Sequence, residues 1–287
     1  MELFCCMRSL GLYDLFHQLM CYDRLGNGNM SVETYQNETV KEKIRKAFSL
    51  KEDSASNEEI RSRLLDGGKI TGTNMCVLVC AMVIASVGLN MNSTAVIIGA
   101  MLISPIMGSI LASAYGNVSA DYPLLKNHMI GFGMQIAISV TAATIYFLLS
   151  PVKEPTVELL ARTSPTFFDV LIAFFGGLAG IIGQTREDKV NTVIPGVAIA
   201  TALMPPLCTC GFSIANGRWD MLLGAGYLFI LNAYFIFLSS SMILSVLKIP
   251  KTKELTEKEW KWHRFRMIRN TIIIAIPSIV AVYMMMQ

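Results

Sequence analysis

Apolar residues fall into seven long stretches separated by polar segments. A membrane-spanning helix needs about 20 mostly apolar residues, and no Asp, Glu, Lys or Arg interrupts the middle of any stretch. The pattern therefore predicts an all-α integral membrane protein with seven transmembrane helices. The stretches cover residues 74–91, 94–114, 129–149, 168–183, 193–214, 224–247 and 270–286.

Two short amphipathic helices are predicted in the polar segment 1–73. The first lies near Val40–Phe48 among basic residues, and the second begins with a capping box at Ser56–Glu59 and ends at Gly67-Gly68. Such helices either lie on an anionic membrane surface or pack on the body as a small cytosolic appendage. Met30 opens a more ordinary amphipathic sequence, so residues 1–29 are not expected to belong to the biological protein, and we expect no function from them.

Lysine and arginine predict the orientation of the chain. With the N-terminus in the cytosol and seven crossings, the two sides hold 21 and 3 of these residues, as the positive-inside rule requires. If the second and fifth stretches are re-entrant, the split is 20 to 4 and five stretches cross. Seven crossings are favoured because both stretches are long enough to span. The predicted location is a cytoplasmic membrane, with the N-terminus in the cytosol.

The second and fifth stretches resemble each other when the sequence is shifted by 101 residues. Residues 95–117 then align with 196–218, and Pro105 coincides with Pro206. Three crossings per repeat would invert the second copy, and inverted repeats with broken helices are typical of transporters. In the re-entrant alternative, each repeat has two crossings and the copies are parallel.

This repeat sets the predicted domain organisation. A cytosolic or interfacial segment precedes a hydrophobic body of six helices, and a basic interfacial segment and a seventh helix follow it. The boundaries are 1–73, 74–247 (repeats 74–149 and 168–247), 248–269 and 270–287.

Prolines inside the second and fifth stretches predict broken helices. Proline lacks an N–H and clashes with the carbonyl four residues earlier, and in lipid the freed carbonyl needs another partner. Ser104 suits an N-cap with Pro105 at the first helical position, and Pro205-Pro206 leaves a longer gap. The exposed carbonyls suit cations and the amides suit anions. Alternatively, the kinks only shape the packing.

Polar residues of the membrane stretches supply a candidate site for a small solute or ion. The middles of the stretches carry no charge, which argues against a carboxylate-driven proton antiporter. Gln135 and Asn232 occupy equivalent places in the two repeats and either bridge helices or contact the ligand. The expected site comprises Ser104, Pro105, Gly108, Ser109, Gln135, Pro205, Pro206, Thr209 and Asn232.

Composition and cysteine usage exclude several other classes. The chain is 53% hydrophobic and 16% charged, and its net charge of +3 is too small to indicate nucleic-acid binding. No catalytic motif or paired intramembrane carboxylate is present, so neither an enzyme nor a cofactor is predicted. Cys208 and Cys210 lack a nearby histidine or acid that would complete a metal site.

Four strings in the sequence resemble a known family. They are NSTAVIIGAMLISPIMG from Asn92, LLARTSP at 159–165, FFGGLAGIIG at 174–183 and NTVIPGVAIATALMPPLC at 191–208. Over residues 70–250 the chain is similar to the bacterial hydrophobic-domain membrane proteins known as domain of unknown function 389. The resemblance implies a prokaryotic multi-pass membrane protein, and it implies no activity that can be assigned residue by residue.

Two functional hypotheses follow. The leading one is a transporter or channel for a small solute or ion that uses the paired breaks. The alternative is a membrane scaffold or sensor whose basic ends bind a protein partner or anionic lipid. A GxxxG pattern at Gly176–Gly180 and serines at 239–241 predict close helix packing, within the chain or in a homo-oligomer.

Overall fold

The computed structural model describes residues 54–187 and 193–252 together with Phe265 and Arg269, and for residues 193–202 it describes the backbone. The chain divides into two compact units, Met1–Glu52 and Asp53–Gln287, and the described residues belong to the second. Several predicted features lie outside them: residues 1–29, the amphipathic helix near 40–48, most of the basic segment 248–269, and the stretch 270–286.

The described ranges are helical, which confirms the all-α prediction. An isolated bridge between Ser54 and Arg186 is their one β-type pairing. The helices are α1 (Asn57–Gly67), α2 (Gly72–Asn90), α3 (Thr94–Leu102), α4 (Ile106–Val118), α5 (Tyr122–Leu149), α6 (Val157–Leu160), α7 (Phe167–Thr185), α8 (Val193–Ala215) and α9 (Trp219–Val246).

Four of these helices, α2, α5, α7 and α9, are long and apolar enough to cross a membrane, and the bent pair α3–α4 makes a fifth. Large apolar side chains face outward, such as Leu149 at 81% and Leu223 at 76% exposure. Soluble proteins rarely expose such surfaces, so the helices indicate a membrane location. The predicted total of seven spans is not reached within the described residues.

Side-chain caps explain where several helices begin. The Ser56 hydroxyl accepts a hydrogen bond from the Glu59 N–H at 3.3 Å and starts α1. At α7, the Asp169 carboxylate accepts bonds from the N–H and the hydroxyl of Thr166, both at 2.7 Å. This capping box fixes the start of α7 next to the α6 segment.

Left-handed residues end four helices. After each of them, the N–H of the next residue bonds to a carbonyl five positions earlier, which is the Schellman pattern. The residues are Asn92 (φ 53°), Ala120 (φ 56°), Gly217 (φ 67°) and Lys248 (φ 56°).

Hydrogen bonds group the helix termini into two ends of the body. At the first, which we call the α1 end, Ala55 N–H donates to the Thr185 carbonyl. At the opposite end, the α6 end, the Thr156 hydroxyl donates to the Leu89 carbonyl at 2.7 Å. Arg218 also pairs with Glu154 there at 3.6 Å. Successive long helices run between these two ends.

The α3–α4 pair crosses the body from end to end. Its first residue, Thr94, bonds to Glu158 at the α6 end. The carbonyl of Ser119, just past its last residue, accepts a bond from Thr252 N–H at the α1 end. The two helices meet at an angle of 50°. The second stretch therefore has the predicted break and traverses the body without turning back.

The helix after the break begins one residue later than the sequence predicts. Pro105 is the N-cap residue and α4 starts at Ile106. The Ile106 N–H donates a hydrogen bond to the Ser104 hydroxyl, with 3.5 Å between the nitrogen and the oxygen. Ser104 thus still supports the restart of the helix, from a position before the cap.

The predicted break at Pro205-Pro206 is wrong, because α8 runs through both prolines. Two adjacent prolines remove two neighbouring hydrogen bonds, but their fixed φ is itself helical. The Thr209 hydroxyl donates to the Pro205 carbonyl at 2.9 Å. Helix α8 also packs against α2, α3, α4, α5, α7 and α9, so its neighbours hold it on every side.

The GxxxG segment packs within the chain. Gly177 of α7 lies against α9, where an added Cβ would overlap the Ser239 hydroxyl and lie 2.9 Å from the Ile236 Cα. This close contact fits the role of small residues at membrane helix interfaces.

Buried hydroxyls bond mainly within their own helices. Ser113 donates to the Ser109 carbonyl and Ser213 to the Thr209 carbonyl, both at 2.7 Å. Thr144 bonds the Val140 carbonyl in the same way. These i to i−4 bonds satisfy a hydroxyl without a partner from another helix.

Candidate functional site

Five of the nine predicted site residues line two cavities at different ends of the body. The first, which we call the Arg162 cavity, has a volume of about 240 Å³ and contains Pro206 and Asn232. The second, the Ser104 cavity, has a volume of about 320 Å³ and contains Ser104, Pro105 and Gly108.

The Arg162 cavity lies toward the α6 end and combines charged groups with an apolar wall. Its charged residues are Glu158, Arg162 and Asp169, and Thr94 lines it at the start of α3. The apolar residues of the lining are Ile97, Ile98, Met101, Ile172 and Leu228. A few polar groups in an apolar cleft are typical of small-molecule sites.

Hydrogen bonds hold the charged groups of this cavity in place. Glu158 accepts a bond from the Thr94 hydroxyl at 2.7 Å and lies 3.5 Å from the Arg162 guanidinium. The buried Nε of Arg162 has no hydrogen-bond partner among the described residues. The guanidinium therefore keeps donor capacity for a further acceptor.

The cavity reaches the middle of the body. Asn232 is 13 residues into α9, which at 1.5 Å per residue places it about 20 Å from the start of that helix. Pro206 lies in the interior of α8. The cavity thus lies between α3 and the later helices α8 and α9.

The Ser104 cavity lies toward the α1 end, at the break between α3 and α4. Arg63 and Asp66 of α1 line it, as does Gln184 near the end of α7. Hydrogen bonds from Lys69 and then Ser62 lower the pKa of the Asp66 carboxyl, so this residue is charged at neutral pH. This cavity also combines polar and apolar groups.

The two cavities share α7, and the α3–α4 pair lines both of them. Met101 of α3 lines the Arg162 cavity, and Ser104, three residues later in the break before α4, lines the Ser104 cavity. On α7, Ile172 faces the first cavity and Gln184 faces the second. These two α7 residues lie about 18 Å apart along the helix axis.

The remaining predicted residues are buried between helices and line neither of these two cavities. Ser109, Gln135 and Thr209 are fully buried, and so is Pro205. Neither the nitrogen nor the oxygen of the Gln135 amide has a hydrogen-bond partner among the described residues. The structure thus does not gather the nine predicted residues into one site.

The charged groups of the Arg162 cavity are not among the predicted site residues. The predicted site lies in the apolar stretches, whereas Glu158 and Arg162 lie in the polar connection between α5 and α7. One signal was available, because Arg162 belongs to the LLARTSP string. What brings it back onto the body is the bond from Thr156 to the end of α2, a contact between distant parts of the sequence.

The family comparison matches the centre of the chain. Residues 101–238 match the model described as Domain of unknown function (DUF389). The match confirms the resemblance drawn from the sequence strings. The matched region includes Arg162, Pro206 and Asn232, whereas Thr94 and α1 precede it.

The chain is also similar to an uncharacterized protein of Methanocaldococcus jannaschii. It is 26% identical over 188 residues, which are 66% of this chain and 58% of the relative. The aligned part thus spans less than two thirds of the relative's length. No solved structure matches the chain.

Proposed function

We propose that this protein is a membrane transporter that exposes a central site alternately to the two sides of the bilayer. One observation carries the proposal: the Arg162 and Ser104 cavities lie toward opposite ends of the body, and both are lined by α7 and by the α3–α4 pair. Only the turn from Met101 to Ser104 separates their linings on that pair. A bend at that turn would open one cavity and close the other.

The packing of the helices supports an inverted repeat, in which α2, α3–α4 and α5 correspond to α7, α8 and α9. Helix α2 packs on α5 as α7 packs on α9, and α4 packs on α9 as α8 packs on α5. Corresponding helices run in opposite directions between the two ends. Repeats of this kind, with a site between them, are typical of secondary transporters.

We further propose that the α1 end faces the cytosol of a prokaryotic cell, with six crossings in the body. The distribution of Lys and Arg supports this orientation. A membrane-impermeant maleimide added to intact cells should label Glu154→Cys at the α6 end, where this side chain is 90% exposed. The native chain and Glu58→Cys should stay unlabelled. The reverse labelling pattern would contradict the orientation.

Uptake into proteoliposomes tests the transport function itself. The purified chain should take up at least one of radiolabelled sodium, phosphate or an amino-acid mixture above empty liposomes. Pro105→Ala should lower this uptake at least tenfold, since it allows α3 and α4 to join into one rigid helix. Gly99→Ala in α3 is the matched control. Uptake of none of the three, or full uptake by Pro105→Ala, would favour a scaffold or sensor instead.

A further inference from the structure

The charges of the Arg162 cavity restrict the solutes that it can hold. One guanidinium and two carboxylates line it, so its formal charge is −1. A simple anion would bring a second excess negative charge into a space with apolar walls, where charge is poorly screened. A ligand that carries one positive and one negative charge would add no net charge to this space.

The groups with unused hydrogen-bonding capacity indicate where each sign would sit. The Arg162 side chain is 30% exposed, and its one bond within the described residues runs from a terminal nitrogen to Glu158 at 3.5 Å. The terminal nitrogens of the guanidinium therefore keep N–H donors for a carboxylate.

The two acidic residues present acceptors on the same cavity. The bonds that Asp169 makes to cap α7 both go to Oδ2 and do not use Oδ1. Glu158 is held by Thr94 and by a long contact of 3.5 Å to Arg162. An ammonium group, with three donors, suits such acceptors.

The rest of the lining determines the body of the ligand. Ile97, Ile172 and Leu228 form an apolar surface beside the charged groups. The volume of about 240 Å³ is below the 300–1,000 Å³ of sites for drug-sized ligands. A compact aliphatic group fits this apolar surface.

From this geometry we propose that the Arg162 cavity binds a small zwitterion of the α-amino acid type with an aliphatic side chain. The ligand carboxylate lies on Arg162, and its ammonium group lies on Glu158 and Asp169. The inference rests on the proposed transport function for its biological role, since the site then serves as the loading site for the solute.

Three compounds with the same branched aliphatic body test the proposal by binding to the purified full chain. They are L-valine, isobutylamine, which lacks the carboxylate, and 3-methylbutanoate, which lacks the ammonium group. L-valine should bind at least tenfold more tightly than either analogue, because each analogue leaves one set of charged groups unmatched. Equal binding of all three, or binding of none, would overturn the proposal.

Two variants test whether Arg162 itself, rather than any arginine at the α6 end, binds the ligand. Arg162→Gln should weaken L-valine binding at least tenfold and leave isobutylamine binding unchanged or stronger. The matched control is Arg218→Gln, which removes the same charge at the same end from a residue that does not line the cavity. Normal L-valine binding by a folded Arg162→Gln would overturn the assignment. If that variant does not fold, the comparison of the three compounds still decides.

Uptake distinguishes failure of this proposal from failure of the transport function. L-valine binding without uptake would contradict transport and leave the ligand class standing. Uptake of sodium or phosphate by a chain that does not bind L-valine would overturn the ligand class and leave transport standing.

Discussion

Gly108 in α4 packs directly against the backbone carbonyl of Gly67 at the end of α1. A Cβ at position 108 would overlap this carbonyl and lie 3.0 Å from the Gly68 nitrogen. Both glycines line the Ser104 cavity. The contact therefore holds α1 in place as one wall of that cavity.

Gly108→Ala should displace α1 from the body. The atoms in the way are backbone atoms that cannot change rotamer, so we expect a loss of about 1–3 kcal/mol in the free energy of unfolding. Amide hydrogen exchange in 57–67 should accelerate. Gly99→Ala is the control, since a Cβ there has no neighbour within 4 Å in the described part of the chain. Equal effects of the two substitutions would argue against the contact.

Gly177→Ala should separate α7 from α9. Its Cβ would overlap the Ser239 hydroxyl, so the midpoint of thermal unfolding in detergent should fall. Ser239→Ala in the same chain should restore part of the loss, because the oxygen is then gone. It cannot restore all of it, since the Ile236 Cα would still lie 2.9 Å from the new Cβ. A double variant no more stable than Gly177→Ala would contradict this account.

Ala120→Gly should stabilise the protein. Ala120 has a φ of 56°, and the left-handed region is unfavourable for residues with a Cβ. We expect a gain of about 1 kcal/mol, measured by thermal unfolding. Ala112→Gly serves as the opposite case, because this buried residue lies inside α4 and should lose stability. A loss in both variants would mean that burial of the Ala120 methyl group outweighs its backbone strain.

Gln135→Leu should also raise stability. Its amide is fully buried and lacks partners among the described residues, and an unsatisfied polar group costs about 1–3 kcal/mol. Ser113→Ala is the control, since that buried hydroxyl already bonds the Ser109 carbonyl. If Gln135→Leu instead lowers the unfolding midpoint, the amide has a bonding partner that these contacts do not include.

Local backbone rules predicted part of the fold and failed where packing decided. Proline chemistry predicts that a helix restarts at the break next to Ser104, and α4 does begin at Ile106. The same rule applied to Pro205 and Pro206 fails, because six neighbouring helices support α8 and the local rule does not include them.

The aligned glycines of the two repeats show the same limit. Gly217 ends α8 with a φ of 67°. Its counterpart Gly116 lies inside α4, where an added Cβ would meet the Leu125 nitrogen at 2.9 Å. The alignment matched the residue type, whereas the two positions need glycine for different reasons.

The charged groups of the Arg162 cavity could not be predicted from the sequence for another reason. Thr94 and Glu158 are 64 residues apart in sequence and meet through a side-chain bond of 2.7 Å. No period or motif in one sequence encodes that distance. Two of the residues predicted from the sequence, Pro206 and Asn232, do line this cavity.

The buried hydroxyls that bond within their own helices have a mechanical consequence. Ser113 and Ser213 take carbonyls from the preceding turn, so these bonds travel with the helix when it moves. Neighbouring helices can thus slide or tilt past α4 and α8 without breaking these two bonds.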